Sequence, residues 1–239
     1  MPIPVLILID IQNDFCPNGA LPVPFGDEVV AVANSLMRSG LFEEIIASKD
    51  WHPANHVSFA AQHSNKAVFD SIDLNGAMQV LWPTHCVQGS KGAELHEGLD
   101  QSRIGHIIHK GTDPGVDSYS AFFDNMKLKA TPLLELLQLI ASNRGVTIDD
   151  IELTLCGLAT DYCVAATARD ARELGFVTNV IVDGCRAVNM QPDDEVATLR
   201  DLAQRGVVLR NSRELLEVER ESSLTHPHLP TSRGISYGI

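Results

Sequence analysis

The chain has 239 residues, of which 44% are hydrophobic and 21% are charged, and its formal net charge is -13. This size fits one large globular domain, and the negative charge argues against nucleic acid or an anionic membrane as the main partner. We therefore expect a small-molecule substrate. The apolar run at residues 3–9 has no basic leader and ends at Asp10, so it predicts neither a signal peptide nor a membrane span. Five cysteines without a close pair suit a reducing compartment, and we expect a cytoplasmic protein.

Short apolar runs alternate with helical patterns along the chain. The predicted strands are residues 4–10, 43–49, 104–110, 151–156, 176–183 and 207–210. The predicted helices, with apolar residues at helical spacing, are residues 27–38, 131–143, 161–174 and 193–204. Alternating strands and helices indicate an α/β protein with three α/β/α layers and a central, mostly parallel, Rossmann-like sheet.

A long segment separates the second and third predicted strands. Residues 50–105 contain many Gly, Pro, Asn and His residues with little periodicity, and so long a loop inside a compact domain is usually functional. We expect part of the site to lie there. We assign residues 1–211 to one domain and residues 212–239 to a C-terminal extension. The extension from residue 222 onward is expected to lie on the surface or on a partner subunit.

The residues around Cys163 predict a strand, a tight turn and a helix. The apolar run at residues 151–156 stops at Gly157, and a helical pattern starts near Thr160, which together with Asp161 offers a helix cap. Cys163 then lies in the first turn, where the helix dipole lowers the pKa of a thiol and favours the nucleophilic thiolate. Taken alone, however, a structural core cysteine is the commoner explanation.

Other reactive side chains also follow predicted strands. Asp10 follows the first strand, Asp50 and His52 follow the second, and Lys110 ends the third. Parallel sheets bind ligands at the carboxyl ends of their strands, so these groups are expected to converge with Cys163 on one crevice. A thiol, a carboxylate and an ammonium supply a nucleophile, its base and a stabilising charge. Singly, Asp10 can instead cap a turn, and Lys110 can be a solvated strand end.

Candidate metal ligands are concentrated after the second strand. Asp50 and His52 are two residues apart in an extended segment, so they can present an oxygen and a nitrogen to one point. A third ligand can come from His56, His63 or His85 in the long segment. Such a set suits zinc, iron or manganese and leaves open positions for water or substrate. The alternative is a turn capped by Asp50 with solvated histidines.

Five motifs together resemble the nicotinamidases, which are isochorismatase-like cysteine hydrolases. The motifs are Asp10-Ile11-Gln12-Asn13-Asp14-Phe15, Lys49-Asp50-Trp51-His52-Pro53, Trp82-Pro83-Thr84-His85-Cys86-Val87, His109-Lys110-Gly111 and Gly157-Leu158-Ala159-Thr160-Asp161-Tyr162-Cys163-Val164. The resemblance extends in order from about residue 5 to about residue 210. It implies a cytoplasmic hydrolase that converts nicotinamide to nicotinate and ammonia in NAD salvage and pyridine nucleotide biosynthesis.

The resemblance implies a catalytic triad of Asp10, Lys110 and Cys163. Asp10 takes the thiol proton, Cys163 attacks the amide carbon to form a thioester, and Lys110 orients the pair and lowers their proton affinities. The backbone NH groups of Ala159 and Cys163 hold the oxyanion. In this family a cis peptide bond often precedes the residue that matches Ala159.

The resemblance also implies one divalent metal ion, with zinc ranked ahead of iron and manganese. The implied ligands are Asp50, His52 and His85, and His56 ranks fourth because it matches a position that coordinates metal in some relatives. The ion holds the pyridine nitrogen, so that the amide faces the sulfur. The ring pocket is implied to contain Phe15, Trp82 and Tyr119. Pyrazinamide, which has the same nitrogen, is expected to fit as well.

Three alternatives stay open at the level of sequence. In the first, the metal activates water and Cys163 is a bystander. In the second, the chain is a silent binding module, because fold alone does not give function. In the third, it is a related small-amide hydrolase of the same family. The metal's identity, and whether the chain forms a homo-oligomer, also stay open.

Overall fold

A computed structural model describes residues 2–74 and 76–217. The strands are β1 (Ile3–Ile9), β2 (Glu44–Asp50), β3 (Ser71–Leu74), β4 (Ala77–Val80), β5 (His106–Lys110), β6 (Ile151–Leu158), β7 (Val177–Arg186) and β8 (Val208–Arg210). The longer helices are α1 (Glu28–Arg38), α2 (Leu133–Asn143), α3 (Ala165–Glu173) and α4 (Asp194–Gln204). None of the helices in these residues is long and apolar enough to cross a membrane. The prediction for the chain beyond residue 222 falls outside the described residues.

Six strands form the main sheet in the order β5-β2-β1-β6-β7-β8, and every neighbouring pair is parallel. After β1, the chain adds β2 and then β5 on one side of β1. It then adds β6 on the other side of β1, followed by β7 and β8. With right-handed crossovers, this reversal places helices on both faces of the sheet. The predicted three-layer α/β/α fold is confirmed, and in the described residues its main sheet is wholly parallel.

The two central strands, β1 and β6, are covered on both faces. Val5 to Ile9 are 0% exposed, which explains why β1 is a continuous apolar run rather than an alternating one. Gly157 allows the two strands to meet at their carboxyl ends. Its φ is +130°, and a Cβ there would lie 2.1 Å from the Ile9 carbonyl oxygen. The crevice between the ends of β1 and β6 is the switch point where such sheets bind ligands.

The segment between β2 and β5 contains a hairpin that we did not predict. Strands β3 and β4 pair antiparallel, with Ser71 opposite Val80, and Gly76 adopts a positive φ in the turn. Each strand has only four residues, and their alternation is too short to stand out from the surrounding loop. The hairpin brings the buried side chain of Gln79 towards the crevice.

Candidate active site

The structure brings Asp10, Lys110 and Cys163 together at the carboxyl ends of β1, β5 and β6. The Lys110 Nζ lies 2.9 Å from Asp10 Oδ2 and 3.4 Å from Cys163 Sγ. It also donates a hydrogen bond to the Ser118 carbonyl oxygen at 2.9 Å and to the Asp50 carboxylate. Lys110 is 1% exposed. One buried ammonium is therefore shared by two carboxylates and a thiol.

Asp10 is well placed to accept a proton. Its Oδ1 accepts a hydrogen bond from the Ser48 hydroxyl at 2.6 Å. Its Oδ2 faces the Lys110 ammonium at 2.9 Å. Burial raises the pKa of Asp10, and the Lys110 ammonium opposes this rise. A buried carboxylate with a raised pKa beside the thiol is suited to act as a general base.

Cys163 follows β6 in a π-helical turn, Thr160–Val164, which leads into α3. The predicted helix cap is wrong, since no side chain caps this turn. The Asp161 carboxylate instead accepts hydrogen bonds from the backbone NH groups of Val188 at 3.0 Å and Asn189 at 2.8 Å. Thr160 donates its hydroxyl to a glutamate of α4. The polar residues before Cys163 thus hold neighbouring segments in place and do not cap the helix.

The predicted low pKa of the nucleophile is also wrong. Burial raises the pKa of the Cys163 thiol well above its usual value, and the Lys110 ammonium opposes this only in part. The nearby carboxylates of Asp10 and Asp50 raise it further, because they disfavour a third negative charge. The resting thiol therefore keeps its proton, and transfer of this proton to a base has to accompany attack on a substrate.

Asp50, His52 and His85 offer three ligand atoms to one point. These atoms lie within 4.8 Å of one another, with Asp50 Oδ2 3.5 Å from His52 Nε2 and 3.8 Å from His85 Nε2. The other ring nitrogens lie 2.8 Å from the Gly111 carbonyl oxygen and 2.7 Å from that of Pro83. Carbonyl oxygens only accept, so the two Nδ1 atoms carry the donated protons and each Nε2 faces Asp50. This donor set fits zinc, iron or manganese.

His56 lies beside this set. Its ring stacks on His52 with centroids 4.1 Å apart. Its Nδ1 is 2.7 Å from the Ser58 hydroxyl, and its Nε2 is 3.3 Å from the Val116 carbonyl oxygen. Burial lowers the pKa of His56 to about 4, so the ring is neutral near pH 7. His56 belongs to a second cluster of ligand atoms, with His52 and Asp117, and its rank as a fourth ligand stays a prediction.

The three predicted pocket residues line one cavity beside the thiol. The cavity has about 420 Å³ of space, including its open mouth, and is lined by Phe15, Leu21, Val23, Asp50, Trp82, His85, Asp117, Tyr119, Ala159, Tyr162, Cys163 and Val188. Trp82 and Tyr162 meet edge to face, with ring centroids 4.8 Å apart. We missed Tyr162, although an aromatic residue next to the candidate nucleophile was a usable signal. Asp117 and Val188 gave no signal, because they come from loops without a regular spacing.

The backbone around Ala159 also agrees with the resemblance. The peptide bond between Leu158 and Ala159 is cis. Ala159 is extended, with φ -100° and ψ 151°, and it lines the same cavity as Cys163. The structure thus brings both implied oxyanion-hole residues to the pocket wall, and their role stays a prediction.

A cysteine, an aspartate and a lysine that converge at the carboxyl ends of a parallel sheet form the arrangement that the resemblance implies for the isochorismatase-like hydrolases. A family model described as "Isochorismatase domain" matches residues 4–214, and the chain belongs to the isochorismatase family. A nicotinamidase of Escherichia coli strain K12 is 49% identical over 211 residues, which cover 87% of this chain and 95% of that protein.

Solved structures show the same fold. A nicotinamidase/pyrazinamidase of Acinetobacter baumanii superposes with a TM-score of 0.82 at 38% identity, covering 90% of this chain and 99% of that one. A pyrazinamidase of Pyrococcus horikoshii in complex with zinc has a TM-score of 0.66 at 34% identity, covering 88% of this chain and 99% of that one.

Proposed function

We propose that the chain is a nicotinamidase, an amidase that hydrolyses nicotinamide to nicotinate and ammonia. The observation that carries the proposal is that Cys163, Asp50 and His85 line one small aromatic cavity. A flat ring in this cavity can present a polar ring atom to the ligand set and an amide to the thiol. The relatives named nicotinamidase support this assignment.

The first half of the proposed reaction is acylation of the enzyme. Asp10 takes the proton of the Cys163 thiol as the sulfur attacks the amide carbon. The backbone NH groups of Ala159 and Cys163 stabilise the oxyanion, a contribution of about 3–4 kcal/mol per donor in related chemistry. Asp10 then returns the proton to the departing nitrogen, ammonia leaves, and a thioester forms at Cys163. Lys110, 2.9 Å from Asp10 and 3.4 Å from Cys163, stabilises the thiolate during the transfer.

The second half is hydrolysis of the thioester. Water gives a proton to Asp10 and attacks the acyl carbon, the C–S bond breaks, and the proton returns to the sulfur. The products are nicotinate and the resting thiol. Ser48 donates to the oxygen of Asp10 that does not face the ammonium, so it holds the carboxylate in place through both halves.

The metal-ligand residues have a separate role in this proposal. A zinc ion held by Asp50, His52 and His85 would supply a Lewis acid for the pyridine nitrogen. The zinc complex of the Pyrococcus horikoshii pyrazinamidase supports zinc over iron or manganese. The same logic makes pyrazinamide a substrate, since its ring has a nitrogen in the same place. The cytoplasmic location and the place in NAD salvage follow from the proposed activity and stay predictions.

A comparison of nicotinamide with benzamide tests the activity and the metal's role. Benzamide has the same amide and nearly the same shape, but it has no ring nitrogen. A site built around one polar contact can reject an analogue without it by about 10⁴-fold. We expect ammonia release from nicotinamide and pyrazinamide, and a kcat/KM for benzamide that is lower by orders of magnitude.

The variant His85→Ala and a chelator complete the test. Both should reduce nicotinamide hydrolysis much more than benzamide hydrolysis, so that the ratio of the two kcat/KM values shrinks. The matched control is His106→Ala, an exposed histidine at the start of β5, which should leave both values unchanged. A parallel loss for both amides would instead indicate metal-activated water, and turnover of other small amides alone would indicate a related amidase.

A further inference from the structure

The β3–β4 hairpin contributes one buried polar side chain, Gln79, to the surroundings of the ring pocket. Gln79 is 3% exposed. Its Nε2 donates to Asp117 Oδ2 at 3.0 Å and to the Val80 carbonyl oxygen at 2.8 Å, and it lies 3.3 Å from the Tyr119 hydroxyl. Asp117 and Tyr119 both line the pocket. A single amide therefore connects the hairpin to two residues of the pocket wall.

The neighbours of Gln79 determine which way its amide points. A carboxylate and a backbone carbonyl only accept hydrogen bonds, so the amide nitrogen, and not the oxygen, has to face them. The Trp82 indole NH, which only donates, lies 3.1 Å from the Tyr119 hydroxyl. The Tyr119 oxygen therefore accepts from Trp82, and the Gln79 amide nitrogen lies 3.3 Å away. Trp82, Tyr119 and Asp117 form one polar network that includes Gln79.

Asp117 depends on this contact. It is 3% exposed, and within the described ranges it makes no salt bridge. Its other oxygen accepts, among the residues that the structure describes, only the NH of the adjacent Ser118 at 2.8 Å. Loss of Gln79 would leave one oxygen of this buried carboxylate without a donor, which is costly, so Asp117 would turn towards other groups. The imidazoles of His52 and His56 are within reach, since their ligand atoms lie within 4.8 Å of its carboxylate.

We propose that Gln79 is a positioning residue that holds the wall of the ring pocket through Asp117 and Tyr119. The proposal deepens the nicotinamidase assignment and rests on it. No hydrogen bond in the described part of the chain links Gln79 to Cys163 or Asp10, so the geometry of attack does not depend on it directly. Loosening the wall weakens binding of the ground state and the transition state alike. KM should therefore rise while kcat stays nearly constant.

The first test compares Gln79→Leu with a matched control. Gln62→Leu makes the same change at an exposed glutamine of the same long segment. In the described residues, the Gln62 amide donates only to the Ala54 carbonyl oxygen, at 3.3 Å. We expect KM for nicotinamide to rise about tenfold in Gln79→Leu, with kcat within about threefold of wild type, and no change in the control. An unchanged KM, or a loss confined to kcat, would overturn the proposal.

A reversal of the hydrogen bond tests the contact itself. Gln79→Glu places two carboxylates together and should raise KM more than Gln79→Leu does. Adding Asp117→Asn restores the contact between the two side chains in reversed order, while the Val80 carbonyl oxygen still lacks its donor. The double variant should therefore have a lower KM than Gln79→Glu but not the wild-type value. A double variant no better than Gln79→Glu would contradict the inference. Melting temperatures show which variants fold. If Gln79→Leu does not fold, the comparison of Gln79→Glu with the double variant tests the proposal.

A fluorescence measurement separates this inference from the proposed function. The chain has two tryptophans, so a Trp51→Phe background leaves Trp82 as the reporter. Because Trp82 donates to the Tyr119 hydroxyl, Gln79→Leu should shift its emission, whereas Gln62→Leu should not. A wild-type protein without nicotinamide hydrolysis would refute the function alone. An unchanged Trp82 emission would refute the positioning role, whatever the substrate.

Discussion

Replacing Lys110 by methionine should both inactivate and destabilise the protein. The side chain lies between Asp10 and Asp50, which are 0% and 5% exposed, and it also faces the Cys163 thiol. Methionine keeps most of the volume but removes the only ammonium within salt-bridge distance of Asp10 in the described chain. In the protein freed of metal with a chelator, two carboxylates would then be buried together without their cation, which disfavours the folded state.

The magnitude follows from the burial of all three groups. Removing one partner of a buried ion pair costs about 3–5 kcal/mol, and for a domain of this size each kcal/mol lowers Tm by about 2–4 °C. We therefore expect a Tm lower by about 10 °C. Activity should fall by at least about 10³-fold, because the thiolate would form beside a carboxylate with no compensating charge.

The assay is thermal unfolding together with ammonia release. Lys49→Met is the matched control, since Lys49 is also buried but pairs with the exposed Glu94 at 3.1 Å, a contact typically worth under about 1 kcal/mol. Adding Asp10→Asn to Lys110→Met removes one of the unpaired charges, so about half of the lost stability should return while activity does not. The reasoning is refuted if Lys110→Met unfolds at the wild-type temperature, or if the double variant is no more stable.

Cys163→Ala should abolish turnover while nicotinamide binding, measured by calorimetry, persists; rates within about tenfold of wild type would exclude the thiol mechanism. Asp10→Asn and Cys163→Ala should be strongly non-additive in kcat, because base and nucleophile act as a unit, and multiplicative losses would contradict this pairing. Brief, substoichiometric alkylation followed by mass mapping should label Cys163 first despite its raised pKa, since among the five cysteines it alone lines the ring pocket and lies 3.4 Å from the Lys110 ammonium; first labelling of another cysteine would count against it. Gly157→Ala should prevent stable folding, because its Cβ would lie 2.1 Å from the Ile9 carbonyl oxygen, whereas Gly40→Ala has open space and should cost only about 1 kcal/mol in chemical denaturation.

The central strands and the convergence of the site could be predicted because they depend on burial and topology. Strand β1 is apolar throughout since both faces are covered, and the rule for the carboxyl ends of parallel strands then brings Asp10, Lys110 and Cys163 together. Both properties can be inferred from the sequence, burial from the composition of each strand and topology from the order of strands and helices.

Other features depended on three-dimensional neighbours that the sequence does not display. The predicted helix cap was wrong because the Asp161 carboxylate accepts a hydrogen bond from the backbone NH of Val188, 27 positions away in the chain. The prediction of a low pKa for the Cys163 thiol was wrong because burial and two carboxylates raise this pKa, and their effect outweighs that of the helix start. The role of Gln79 was invisible because its hairpin is short and its partner Asp117 is 38 positions away.

The pairing of β1 with β6 has a consequence for how the chain reaches its active form. Ile3 lies opposite Ile151, so β1, which ends next to Asp10, is synthesised well before β6 and finds this neighbour only after more than 140 further residues have been added. Contacts so distant in sequence slow folding, and an apolar strand awaiting its partner is prone to aggregate. Because the base and the nucleophile meet only when this pair closes, recovery of ammonia release after dilution from denaturant would report a late step of folding.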